Sequence, residues 1–215
     1  MTANGTALDV TDDTQRRRRD PEATRAAILD AGEKLFVSRG PAETSTSEIA
    51  RLAGVTKSLI HHHFGSKEEL WTEVKRRHFE QYYQLQRDML QNSRGSVELL
   101  RQSIITYFRF LQQDPQSVRF MAWRVVEGDD PCLDQEDELF ALGMQRIRES
   151  QEAGELRADL EPISIIKAFV AMTLHWFQTK TFLCQILGRE AADEQMDERY
   201  LDDILKIFFD GVRPR

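Results

Sequence analysis

TSTSEIARLAGVTKSLIHHHFGSK, residues 44–67, is the stretch around which the rest of the chain is organised. It reads as two short helices joined by a tight corner. Residues 47–52 form the first, with Ile49, Ala50 and Leu52 turned inward. Ala53, Gly54 and Val55 make the corner, and Thr56 caps a second helix running from Lys57 through His63. Ala50 and Gly54 stand four residues apart. The small side chain lets the helices approach, and glycine accepts the left-handed backbone of the turn. A core of Ile49, Leu52, Val55, Ile60 and Phe64 then locks the pair at a steep angle. Thr56, Lys57, Ser58, Leu59, His61 and His62 are left on a protruding rod narrow enough for the major groove of duplex DNA.

The flanks extend this pair into a small bundle. Asp20 and Pro21 open a helix as cap and first residue. Ile28, Ala31, Leu35 and Phe36 form its apolar stripe, and Gly40 stops it. Gly32 weakens this helix by roughly 1 kcal/mol relative to alanine and leaves room for a close crossing. Downstream, Ser66 and Glu69 have the spacing of a capping box. The helix they open, through KEELWTEVKRRHFEQYYQLQRDML, has no internal proline or glycine and runs for some 25 residues. At about 1.5 Å per residue it is a rigid connector between the bundle and whatever follows.

Length and charge bound the alternatives. At 215 residues the chain can bury a sizeable core, and 40% hydrophobic with 30% charged residues is ordinary for a globular protein. Six prolines and clean 3.6-residue periodicities favour an all-α fold. The net charge of −7 argues against indiscriminate nucleic-acid binding by the whole molecule. Its distribution is uneven: residues 14–78 carry 13 Lys+Arg against 9 Asp+Glu, and residues 79–215 carry 16 against 24. Cys132 and Cys184 are far apart and in no metal-ligand spacing, so a reduced, cytoplasmic setting is expected. No apolar signal segment opens the chain, and the most apolar stretch, 168–179, is too short to span a bilayer. Residues 1–19 read as a polar tail ending in Arg16-Arg17-Arg18-Arg19. That run is either a solvated segment or a basic arm that reaches phosphates.

Beyond residue 82 the chain reads as a larger helical domain. Helices are expected over about 96–113, 115–126, 133–153, 162–187 and a final stretch containing Leu201, Ile204, Leu205, Phe208 and Val212. The 162–187 helix is apolar on more than one face and needs cover on several sides. Paired with the last helix and the same two of a second copy, it makes a four-helix interface. Phe169, Trp176, Phe177, Leu201, Leu205 and Phe208 are the candidates for it; the alternative is packing on their own chain. Tyr107, Phe108, Met121, Trp123 and Met144 either line a ligand cavity or form plain core, with His175 and Gln178 as polar anchors if a cavity exists.

No catalytic constellation, phosphate loop or cofactor motif is present, so neither an enzymatic activity nor a cofactor is expected. His61-His62-His63 is not a metal site, because successive helical residues point about 100° apart and cannot converge on one ion. An imidazole on an exposed helix can instead meet a phosphate or a base edge. Lys67, at the start of the connector helix, sits where an amine and free backbone N–H groups can grip a phosphate together.

The landmarks Arg25…Ile28…Ala31…Leu35-Phe36…Gly40, Thr44, Ile49-Ala50…Ala53-Gly54-Val55 and Lys57…His62…Phe64…Ser66-Lys67-Glu68-Glu69-Leu70 occur in one order. Over about residues 20–81 the chain resembles the N-terminal DNA-binding domain of TetR-family transcriptional regulators. The resemblance implies a three-helix helix-turn-helix domain over 20–81, with its motif at 44–63. It implies a helical effector-binding and dimerisation domain over 82–215. The expected partners are a palindromic operator in double-stranded DNA, a second copy of the chain and a small-molecule effector, with no membrane. The expected action is repression relieved by the effector; the alternatives are an activator or ligand-independent regulator of the same fold, or a small-molecule-binding protein with a vestigial motif. DNA contacts map onto Thr44, Ser45, Thr56, Lys57, Ser58, Leu59, His61, His62 and Lys67. Sequences of this kind usually carry aromatic residues at positions 61 and 63. Histidine at both replaces a hydroxyl contact with imidazole and opens a route to pH dependence.

Overall fold

The structure, a computed structural model, describes residues 20–128, 134–188 and 194–214; these form nine α-helices with no strand among them. The arginine run at 16–19 and Cys132 lie outside the described residues. Packing divides the chain into two compact units, Met1–Val74 and Lys75–Arg215. None of the described helices is long and apolar enough to cross a membrane.

The first unit holds α1 (Pro21–Glu43), α2 (Thr46–Ala53), α3 (Lys57–Phe64) and the first turns of α4 (Lys67–Gln91). Asp20 caps α1, its carboxylate accepting from the Glu22 N–H at 3.0 Å, with Pro21 in the first turn. Gly40, at φ 82°, breaks the α1 run before Pro41. Ile28, Phe36, Ile49, Ile60, Leu70 and Val74 are fully buried and make the core of this unit. Gly32 allows the close crossing expected of it, since a Cβ there would stand 3.3 Å from Val74 on α4. Leu52 departs from expectation. It is 44% exposed and Val55 only half-buried, because Ile49 and Ala50 already fill the inward side of the eight-residue α2.

The second unit comprises the rest of α4 with α5 (Val97–Gln113), α6 (Pro115–Val126), α7 (Asp134–Glu152), α8 (Pro162–Leu187) and α9 (Glu194–Val212). Pro115 and Pro162 open α6 and α8, and Gly188, left-handed at φ 62°, ends α8. Helix α8 packs on α5, α6, α7 and α9, which is the cover its several apolar faces require. A buried carboxylate ties three of these helices. Asp197 accepts from Trp176 Nε1 at 2.8 Å, Lys180 Nζ at 2.8 Å and Gln112 Nε2 at 3.1 Å.

The residues expected at a dimer interface sit in this core instead. Phe169, Trp176, Leu201, Leu205 and Phe208 are buried among residues of their own chain, and Phe177 packs against the same cluster. Their spacing gives one apolar stripe on each helix, and that stripe turns toward α5 and toward the other helix of the pair. What α8 presents outward is a different stripe: Ala168, Ala171, His175, Gln178 and Phe182 are exposed, with Ile186 following one turn later. On α9 the exposed apolar side chain is Ile207.

Candidate functional site

Two features of the structure can bind something. The first is the face of unit one built by α3 and its neighbours. Gly54 makes the α2–α3 corner in the left-handed region, at φ 65° and ψ 36°, and Val55 N donates to Ala50 O at 3.0 Å. Arg25 holds α3 from below. Its guanidinium pairs with Glu73 of α4 and lies 5.2 Å from the centre of the Phe64 ring. Arg39 on α1 pairs with Glu48 on α2 at 2.7 Å. The Ser45 hydroxyl, backbone bonding and Arg39 together hold the Glu48 carboxyl below the ordinary value. Neither arginine's anchoring role was read from sequence; the signal available was Arg25 and Glu73, basic and acidic, on two helices that the Gly32 crossing brings together.

On this frame Lys57, Ser58, His61 and His62 are exposed along α3, Leu59 is half-buried, and Thr56 is exposed at the helix start. Thr56 does not cap the backbone; its hydroxyl pairs with Ser58 Oγ at 2.9 Å. His61 Nδ1 lies 2.8 Å from Gly65 O, which fixes that ring beside the α3–α4 turn. Below the rod is an open groove of about 500 Å³ lined by residues 42–46, His61 and residues 65–68. The amino termini of α2 and α4 both open onto it, and first-turn N–H groups without helical partners favour anions. Ser45 with Glu48, and Ser66 with Glu69, close capping boxes at these two ends, so acidic caps offset part of that field.

Two expected contacts are placed differently from the rest. Thr44 borders the groove, but it is 2% exposed and gives its hydroxyl to Gly40 O at 2.7 Å, so that hydroxyl braces the end of α1. Lys67 lines the groove, but its amine donates to Pro41 O at 2.8 Å and is held by the chain itself.

The second feature is an apolar cavity of about 110 Å³ within unit two, between α4, α5, α7 and α8. Of the residues expected there, Tyr107 and Met121 line it; Phe108, Trp123, Met144, His175 and Gln178 do not. The reason is helical phase. Leu100, Ser103 and Tyr107 share one face of α5, and Phe108 is turned about 100° away, where it meets Phe177 with ring centres 4.9 Å apart. His175 and Gln178 each lie nine residues, half a turn out of phase, from the cavity-lining Ile166 and Phe169. Both are exposed on the outer face of α8. Phe169, expected at a dimer interface, is a cavity wall. Among the residues missed are Tyr82, Tyr83, Gln86 and Leu90 of α4 and Glu136, Gly143 and Ile147 of α7. Their spacing of three to four along α4 was the readable signal.

Burial raises the phenols of Tyr82, Tyr83 and Tyr107, and of Tyr200, above the ordinary value near 10. These are all four tyrosines of the chain. Above pH ~10 the unfolded chain releases phenolic protons that the folded chain keeps. Stability therefore falls as pH rises past that point, by up to about 1.4 kcal/mol per pH unit for each phenol. A spectrophotometric titration should show almost no phenolate from Tyr82, Tyr83 and Tyr107 at pH ~10 in the folded protein, and its abrupt appearance on unfolding. Ionisation of more than one phenol near 10 without unfolding would contradict the burial.

Comparison with known proteins bears on both features. Residues 28–74 match the family described as bacterial regulatory proteins, tetR family. Residues 104–201 match the tetracyclin repressor-like C-terminal domain. The transcriptional activator FasR of Mycolicibacterium smegmatis is 33% identical over 97 residues, which are 45% of this chain and 44% of that protein. The chain thus spans under half the length of that relative. The transcriptional regulator RutR of Escherichia coli is 25% identical over 206 residues, 94% of this chain and 96% of RutR. Among solved structures, AibR, determined in complex with isovaleryl coenzyme A and operator DNA, shares the fold. Its TM-score is 0.65 at 18% identity, with 86% of this chain and 98% of AibR covered.

Proposed function

The chain belongs to the TetR family of transcriptional regulators, and from that premise we propose that it is a homodimeric, sequence-specific repressor released from its operator by a small-molecule effector. The observation that carries the reading is the exposed α3, with Lys57, Ser58, His61 and His62 outward beside a groove opened by two helix amino termini. An eight-residue helix of that kind enters a major groove, while the groove beneath it meets the phosphate backbone. Ser45, Thr56, Leu59 and Lys67 flank these contacts, and Thr44 supports them from inside.

Release by an effector needs a ligand site and a path to the reading head. The cavity of unit two supplies the first. Helix α4 supplies the second: Lys67 stands at one end, and Tyr82, Tyr83 and Gln86 line the cavity farther along the same helix. Two heads must be roughly 34–36 Å apart, or a related spacing, to engage consecutive grooves. An effector that binds a differently spaced state more tightly withdraws the protein from DNA by its difference in affinity alone. The second copy is assigned to the outward stripe of α8 from Ala168 to Ile186 together with Ile207, in place of the buried residues read from sequence. Its site of action is the cytoplasm, where a bacterial operator lies.

The test is operator binding. Lys57→Ala should weaken binding to the chain's own upstream region by roughly tenfold and lower the salt slope by about one. Parental affinity and slope in this variant would remove α3 from the interface. Activation is kept as the second reading because FasR is a transcriptional activator. Expression of the controlled gene should rise when the protein is deleted; a fall would favour activation.

A further inference from the structure

The effector cavity holds more hydrogen-bond donors than its surroundings can use. Tyr83 is 3% exposed; the Arg124 guanidinium lies toward its oxygen, and its hydroxyl proton is sealed from solvent with no acceptor. Tyr107 is also 3% exposed, and its hydroxyl forms no hydrogen bond with any described residue. Both side chains line the cavity. The Tyr82 hydroxyl, beside them, accepts from Gln86 at 3.3 Å. Gln86 is itself consumed by Ser103, donating its N–H to the backbone oxygen and accepting from the hydroxyl at its carbonyl. Burial keeps all three phenols protonated, so they act as donors.

The acceptors and charges nearby are already engaged. Glu136 meets Arg124 through both oxygens, at 2.7 and 3.3 Å, in a pair whose side chains are 14% and 11% exposed. Arg146 gives its guanidinium to Leu90 O and Glu149. Arg87, farther along α4, lies outside the cavity lining and faces Glu138 at 3.8 Å. No lining cation is therefore uncommitted and able to compensate an anion stripped of water, and no lining carboxylate is open to a cation. Ser150 gives its hydroxyl to Arg146 O and Ser96 accepts from Leu99 N, and the rest of the lining is mainly apolar, including Leu99, Ile147, Ile166 and Val170. An apolar cavity of about 150 Å³ can take benzene, and this one, at about 110 Å³, is somewhat smaller, so it suits a body no larger than one small ring.

We propose that the cavity selects a neutral, mainly apolar molecule that carries a carbonyl-type oxygen, and that Tyr83 and Tyr107 donate to that oxygen. The inference rests on the effector reading of the cavity and names the ligand's chemical class. Unpaired buried donors discriminate sharply, because a ligand without the acceptor leaves them unpaired while one that has it relieves them.

Three small probes test this on the full chain by titration followed by NMR: cyclopentanone, methylenecyclopentane and cyclobutanecarboxylate. Cyclopentanone should bind about tenfold more tightly than methylenecyclopentane, with the carboxylate weakest. In Tyr83→Phe/Tyr107→Phe the ketone's advantage should vanish. Equal affinities for ketone and hydrocarbon in the parent protein, or the carboxylate binding best, would overturn the proposal and leave the cavity as a ligand site. An advantage that survives in the folded double variant would overturn the assignment to these two hydroxyls. If none of the three probes binds, the effector reading falls and the proposal with it. The parent ratio decides the ligand class even if the variant fails to fold.

Discussion

Asp197→Ala should lower the stability of the C-terminal unit by about 3–5 kcal/mol, the cost of leaving one member of a buried ion pair without its partner. Asp197 is 3% exposed and sits in the first turn of α9, where a negative charge is also favoured by the helix field. The change strands the Lys180 ammonium, whose side chain is 12% exposed, and removes the acceptor of Trp176 Nε1 and Gln112 Nε2. Urea denaturation should show a lower midpoint. Asp197→Asn should fall between the two, since it can still accept from the indole but cannot neutralise the lysine. Adding Lys180→Met to Asp197→Ala should recover part of the loss, which a double-mutant cycle would read as coupling. A loss under about 1 kcal/mol would mean the network is not sealed from water as its geometry implies.

The second large effect belongs to the reading unit. Phe36 is fully buried, with its ring edge-on to Trp71 at 5.1 Å and its tip close to Gly32. Phe36→Ala should cost about 3–5 kcal/mol through lost burial and the cavity left behind. A bundle of this size has little stability to lose, so residues 21–74 should be largely unfolded and operator binding abolished. Amide exchange separates the outcomes. Protection should collapse in α1–α3 and persist in α5, α8 and α9, because the two units have separate cores. A uniform decrease across the whole chain would show that the units unfold as one.

What the sequence made legible was local chemistry. Asp20 before Pro21, the Ser66–Glu69 spacing, Gly54 at a corner and Gly188 at an end each act within four residues, and each appears where its spacing indicates. The choice of neighbour was less legible. Leu201, Leu205 and Phe208 form an apolar stripe whether the surface they meet belongs to their own chain or to another, and periodicity carries no mark of which. The same holds for Phe169, a cavity wall rather than an interface residue, and for Phe108, one position off the cavity's phase. Thr44 shows the limit for polar residues. A threonine before a helix satisfies a phosphate or a carbonyl equally well, and only the return of Gly40 O to within 2.7 Å decides its hydroxyl's partner.

The brevity of α3 sets how much sequence one head can discriminate. Eight residues leave four side chains outward, and a good base contact is worth about 1–3 kcal/mol against the wrong base. With some of those four spent on the sugar–phosphate strands, a single head falls short of the selectivity needed among roughly 10⁶–10⁹ competing genomic positions. Duplication squares the odds ratio without lengthening the rod. A helix this short therefore has a working vocabulary only when it speaks twice.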